Sequence, residues 1–119
     1  MVDEPNVRLD DFEDVQQVLD IDRVIYEPAR LVILAVLGKV EWVDFNFLLT
    51  AAGLTKGNLS KQSAKLQEAH YIEIEKYFKG RIPATRYRIT SEGKTALTNY
   101  WRQMSDLQQS MQKPDESNR

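Results

Sequence analysis

The chain has 119 residues, 42% of them apolar, and no cysteine, which suffices for one core and removes disulfides and thiolate metal sites. Sixteen Lys and Arg against eighteen Asp and Glu give a formal charge of −2, a balance that by itself argues against indiscriminate binding to polyanions. The longest apolar run, Leu31 to Leu37, is too short to cross a bilayer and the acidic N-terminus lacks the regions of a signal peptide, so the expectation is a soluble cytoplasmic protein with no membrane partner.

In chain order, residues 1–8 are polar and read as frayed. Leu9, Phe12, Val15 and Leu19 then recur at helical spacing among Asp10, Asp11, Glu13 and Asp14, which predicts a short amphipathic helix over Asp10 to Leu19 inside an acidic N-terminal extension, 1–20. Its acidic face is open to three readings: docked on the body, part of a dimer interface, or solvated. Pro28 suits the first position of a helix, and Leu31, Ile33, Leu34, Val36 and Leu37 make that helix apolar over most of its circumference, as a central core helix would be. Gly38 ends it, and Val40 to Val43 read as one short strand.

Asp44 is the expected N-cap of the next helix, with Phe45, Leu48, Leu49 and Ala52 inward and Gly53 as its left-handed stop. Thr55 caps a second helix after a connection of three residues, and that helix is expected to run from Lys56 to Ala69. Leu59, Ser63 and Leu66 share its inner face. Its outer face gathers Gly57, Asn58, Lys61, Ala64, Lys65 and Glu68, with Lys56 and Ser60 at the edge. Tyr71 to Phe78 and Thr85 to Ile89 alternate as strands, joined by a loop tipped with Lys79 and Arg81 and containing Gly80 and Pro83. From Thr90 a last helix begins, on which Leu97, Tyr100, Met104, Leu107 and Met111 recur at spacings of 3, 4, 3 and 4, with Trp101 widening the stripe. This seam either meets a partner subunit, the preferred reading, or folds back on its own core.

Charge is distributed unevenly along this order. Residues 1–52 carry four basic and eleven acidic side chains, a balance of −7, whereas residues 53–94 carry nine basic and four acidic, a balance of +5. Positive charge therefore collects where two helices and a hairpin follow one another, the parts a winged helix-turn-helix needs to place one helix in a DNA major groove and a basic hairpin beside it. On the second helix, small residues permit close approach; Asn58 and Gln62 suit adenine edges, Lys61 guanine or phosphate, and Ser60 either. The hairpin tip suits the minor groove or backbone, although Lys and Arg also serve merely to protect an edge strand.

Four blocks together resemble the small winged-helix transcriptional regulators of bacteria and archaea related to the MarR and ArsR groups: Ile21 to Leu31, Asp44 to Leu48, Gly53 to Ser60, and Pro83 to Gly93. The resemblance spans about residues 21–97. It implies a homodimer on double-stranded DNA, with Thr55 to Ala69 in the major groove and a wing over 78–86. The expected fold class is mainly α with a small β-hairpin (α+β), a winged helix-turn-helix with N- and C-terminal flanking helices. Its parts would be the DNA-binding domain 21–90, a dimerisation helix 91–112 and a disordered tail 113–119. DNA contacts are expected from Thr55, Lys56, Gly57, Asn58, Ser60, Lys61, Gln62, Lys65, Lys76, Lys79, Arg81 and Arg86, and dimer contacts from Leu97, Tyr100, Trp101, Met104, Leu107 and Met111. Two positions depart from the family pattern, with Ser63 where a buried Leu is usual and His70 where a Gly usually closes the recognition helix; His tolerates positive φ at modest cost, and the Ser63 hydroxyl needs a carbonyl one turn back.

Other functions fit less well. Without Cys and with His70 alone, a transition-metal sensor lacks ligands, and no metal or cofactor is expected. A small-molecule effector has room in a cleft lined by Tyr26, Trp42, Trp101 or Tyr100. No Gly-rich phosphate loop, nucleophile with a base, or catalytic carboxylate pair is evident, so an enzyme is not expected. The remaining rival is a winged helix used for protein contact.

Overall fold

Residues 6–112 are described by the structure, a computed structural model; the expected tail at 113–119 and the first five residues lie outside them. Leu9–Phe12 and Gln17–Asp20 are turns of 3-10 helix around one α-turn, α1, Glu13–Gln16. This differs from the expected regular helix, and the reason lies in the spacing. Leu9, Phe12, Val15 and Val18 repeat every third residue, the period of a 3-10 helix, which aligns them on one edge where an α-helix would spread them.

Helix α2, Pro28–Leu37, opens with Pro28 at its first position and with the Glu27 carboxylate accepting from the Arg30 amide at 2.9 Å. It buries Ala29, Ile33, Leu34 and Leu37. The strand expected over Val40 to Val43 is reduced to β1, Val43–Asp44. Asp44 caps α3, Phe45–Ala52, by accepting from the Phe47 amide at 2.8 Å, and Thr55 caps α4, Lys56–Glu68, by accepting from Asn58 at 3.2 Å.

Both helices stop in the same way. At the end of α3, Gly53 has φ +68°, and the amides of Gly53 and Leu54 donate to the carbonyls of Thr50 and Leu49. At the end of α4, His70 has φ +65°, and the amides of His70 and Tyr71 donate to Gln67 and Leu66. Each is a Schellman closure, the second made with a non-glycine residue.

Strands β2, Ile72–Lys79, and β3, Ile82–Ile89, pair in register from Ile72↔Ile89 to Lys79↔Ile82, so only Gly80 and Arg81 form the turn. Gly80 takes φ +65° at the first turn position, the sign pattern of a type II′ hairpin. The sequence reading placed Pro83 in the loop; it stands in β3 opposite Phe78. Alternation from the turn makes that pair non-hydrogen-bonded, so the proline nitrogen faces away from β2, beyond the reach of β1, and no ladder bond is lost. The sheet is antiparallel in the order β1-β3-β2, with Val43↔Tyr87 and Asp44↔Arg86 joining β1.

Helix α5, Ser91–Ser110, is capped by Thr90, whose hydroxyl accepts from the Gly93 amide at 3.0 Å and donates to the His70 carbonyl at 2.7 Å. A Cβ on Gly93 would lie 2.1 Å from the Tyr71 carbonyl oxygen, so only glycine lets α5 start against the head of β2. The core joins Ile21, Ile25, Ile33, Leu34, Leu37, Leu48, Leu59, Leu66, Ile72, Tyr87, Ile89 and Tyr100. Leu59 and Leu66 are fully enclosed and each contributes about 1.5–3 kcal/mol relative to exposure, which seats α4 with a fixed face outward.

Candidate nucleic-acid interface

Two apolar anchors and one hydroxyl decide which side of α4 faces solvent. Leu59, Ser63 and Leu66 point inward, and the buried Ser63 hydroxyl donates to the Ser60 carbonyl at 3.3 Å, the local partner such a group requires. Thr55, Lys56, Gly57, Ser60, Lys61, Ala64 and Lys65 are exposed, and Asn58 is half-buried. Gln62 departs from expectation. It is 8% exposed, accepts from Arg30 Nη1 at 2.8 Å and donates to Asn58 Oδ1 at 3.1 Å, so its amide is engaged inside the protein and not presented to an adenine edge.

On the hairpin, Lys76, Lys79 and Arg81 are exposed, the last two at the tip beside Phe78 and Ile82, which are 70% and 69% exposed. Arg86 is placed elsewhere. Its guanidinium lies 4.2 Å from the Trp42 ring and 5.4 Å from the Tyr77 ring, and Nη2 donates to both Glu75 oxygens at 3.0 Å. Arg88 pairs with Glu73 at 2.8 Å and also lies over Trp42, at 4.6 Å. These arginines hold β1, β2 and β3 together at the base of the wing, a use of cation–π and ion-pair contacts that takes Arg86 out of the expected DNA set. Trp42 likewise packs against the sheet, apart from the space that Tyr26 and Tyr100 line.

Among the described residues, the ion pairs involve Arg8, Arg86 and Arg88, and none involves Lys56, Lys61, Lys65, Lys76, Lys79 or Arg81. Within α4 and the hairpin, the cations without a carboxylate partner are thus those on the outward face of α4, along β2 and at the hairpin turn. Fixed positive charge with solvent-exposed donors at a helix start and a hairpin tip can neutralise phosphates and reach base edges.

The expected dimer seam is only partly free. Tyr100 is buried in the core of its own chain, and Leu97 and Met104 pack on that core, because the stripe that reads as a heptad also faces α2. Trp101, 5.1 Å from Tyr100 in an edge-on arrangement, is half-exposed, Leu107 is partly covered, and Met111 is exposed. Of the aromatics considered for an effector cleft, Tyr26 and Tyr100 do meet, with Glu27, Pro28 and Leu31, around a space of about 370 Å³.

Two arrangements escaped the sequence reading. Arg30 donates to the Val24 carbonyl and, more distantly, to Arg23, besides Gln62; the available signal was a lone cation in an otherwise apolar helix, which must find partners. Tyr71 donates its hydroxyl to the Asp22 carboxylate. Burial, then that hydrogen bond and the charges of Asp22 and Glu92, push the Tyr71 hydroxyl up to about 12. Nothing in the local sequence links residues 22 and 71.

Residues 29–108 match the family model of the winged helix DNA-binding domain. The chain belongs to that family. An uncharacterised protein of Methanocaldococcus jannaschii is 37% identical over 79 residues, 66% of this chain and 85% of its own length. Among solved structures, the transcriptional regulator homologue protein of Pyrococcus horikoshii OT3 superposes with a TM-score of 0.75 at 20% identity, covering 85% of this chain and 99% of the other. Sco3205, a MarR family transcriptional regulator of Streptomyces coelicolor solved in complex with DNA, superposes with a TM-score of 0.60 at 17% identity, covering 98% and 85%. The fold is shared with MarR family transcriptional regulators, and the family to which the chain belongs is a DNA-binding domain.

Proposed function

We propose that the protein is a homodimeric, sequence-specific transcriptional regulator that acts in the cytoplasm, lays α4 in the major groove and sets the β2–β3 wing on the adjacent minor groove or backbone. The observation that supports this reading is the separation of the cations on α4 and the hairpin into two sets. Arg86 and Arg88 are used within the sheet, while Lys56, Lys61 and Lys65 on α4 and Lys76, Lys79 and Arg81 on the wing have no carboxylate partner among the described residues. The dimer follows from apolar surface left uncovered: α1 and the 3-10 turn after it lie along α5, and Leu9, Leu19, Trp101 and Met111 are 87%, 71%, 50% and 71% exposed.

Replacing Lys61 and Lys65 by Ala is expected to weaken binding to duplex DNA and to flatten its dependence on salt, each lost phosphate contact lowering the slope of log affinity against log salt by about 0.9. Equal affinity and slope in the double variant would remove α4 from the interface.

A second reading adds an effector. The space between Tyr26, Pro28, Leu31 and Tyr100 is mostly apolar with one carboxylate, Glu27, at its edge, which suits a small aromatic molecule carrying a hydroxyl or amine donor. Occupancy there would bear on α2 one turn from Arg30.

A further inference from the structure

The inside of α4 carries a hydrogen-bond chain whose direction is forced at its root. Arg30 extends from α2, and its guanidinium has only donors. Nε and Nη2 are engaged with the carbonyls of Val24 and Arg23, and Nη1 donates to Gln62 Oε1 at 2.8 Å. The Gln62 oxygen must therefore face Arg30, and its nitrogen must face the opposite way. There Gln62 Nε2 donates to Asn58 Oδ1 at 3.1 Å, which turns the Asn58 oxygen inward and leaves its Nδ2 as the outer end. Asn58 Nδ2 has no acceptor among the described residues. Gln62 is 8% exposed, so a reversed amide there would bring two donors together in a space water barely enters, at the full cost of burying unpaired polar groups.

Asn58 is the third residue of α4, in the N-terminal turn from which recognition helices address base edges. An unconstrained Asn pairs with adenine through both ends of its amide, oxygen to N6 and nitrogen to N7. Here the oxygen is committed. Resting on α4 as the recognition helix, we infer that Arg30, acting through Gln62, fixes Asn58 as a hydrogen-bond donor at the DNA surface, so that Asn58 selects a guanine, or next a thymine, in place of adenine. Guanine offers O6 and N7 as acceptors in the major groove and thymine offers O4. Arg30 and Gln62 are positioning residues and Asn58 is the reader.

The chain can be reversed at one link. In Gln62→Glu the new carboxylate still accepts from Arg30, and indeed more strongly, but it has nothing to donate. Asn58 must then turn its nitrogen inward to that carboxylate and present its oxygen to DNA. Binding sites are selected from a random duplex library by the wild type, by Asn58→Ala and by Gln62→Glu. The base read by Asn58 is the one at which Asn58→Ala loses discrimination. At that base the wild type is expected to prefer guanine or thymine, and Gln62→Glu cytosine or adenine, which present amino donors, each preference being about fivefold. A wild-type preference for adenine, an unchanged preference in Gln62→Glu, or no base responding to Asn58→Ala would overturn the inference and leave the DNA-binding reading intact. A wild type that selects no sites overturns both. Side-chain amide NMR of the wild type tests the direction without any variant: protected Gln62 Nε2 protons with freely exchanging Asn58 Nδ2 protons support it, and the reverse contradicts it.

Discussion

His70 ends α4 in a left-handed conformation, φ +65°, that costs a β-carbon-bearing residue roughly 1 kcal/mol more than glycine. Its ring is exposed, so replacing it sacrifices little packing. His70→Gly is expected to stabilise the fold by about 0.5–1 kcal/mol, read as a higher urea midpoint with an unchanged slope. Tyr71 gives a pH signature of opposite origin. The folded state holds its proton up to about 12, against 10.0 for the free group. Its contribution to stability is thus complete below pH 10 and is lost as pH rises from 10 to about 12. Melting followed over that window should fall more steeply with pH in the wild type than in Tyr71→Phe; parallel curves would mean that neither burial nor the bond to Asp22 holds the Tyr71 proton in the folded state.

At the scale of elements, the helix-turn-helix was legible because its punctuation is local: Asp44, Gly53 and Thr55 each act on amides or carbonyls within five residues. The wing was legible as a hairpin, but its turn was not, because Lys79, Gly80, Arg81 and Pro83 read equally as a longer loop until pairing fixes the register. The internal partners of Arg86 and Gln62 were not legible for a related reason. Which of several polar residues on an element stays free depends on partners distant in sequence, Trp42 and Glu75 for one and Arg30 for the other. These internal contacts of Arg86 separate two effects. Arg86→Ala should destabilise the fold on the order of 1 kcal/mol, through loss of a half-exposed ion pair and its ring contacts, without altering the salt slope of DNA binding. A flattened slope in that variant would return Arg86 to the interface.

Across the whole molecule, the uneven charge acquires a spatial meaning. The acidic N-terminal turns lie along α5, while Lys56, Lys61 and Lys65 on α4 and Lys76, Lys79 and Arg81 on the wing carry exposed positive charge without an ion-pair partner among the described residues. The heptad spacing on α5 left a partner subunit, the preferred reading, and the chain's own core as alternatives, since both give the same period, and Tyr100 faces the core in the middle of the stripe. The proposed partner contact accordingly falls on residues that remain uncovered, Trp101 and Met111 among them. Trp101→Asp is expected to give monomers in sedimentation with the fold retained by circular dichroism, and a dimer that survives this change would move the interface off α5.

The central claim is that free cations on α4 and the wing serve sequence-specific recognition. Fluorescence anisotropy on labelled duplexes from the protein's own upstream region, titrated at several salt concentrations against excess random DNA, tests it most directly. Binding that resists random competitor and falls steeply with salt is the predicted result. Binding erased by random DNA at every salt concentration would contradict it.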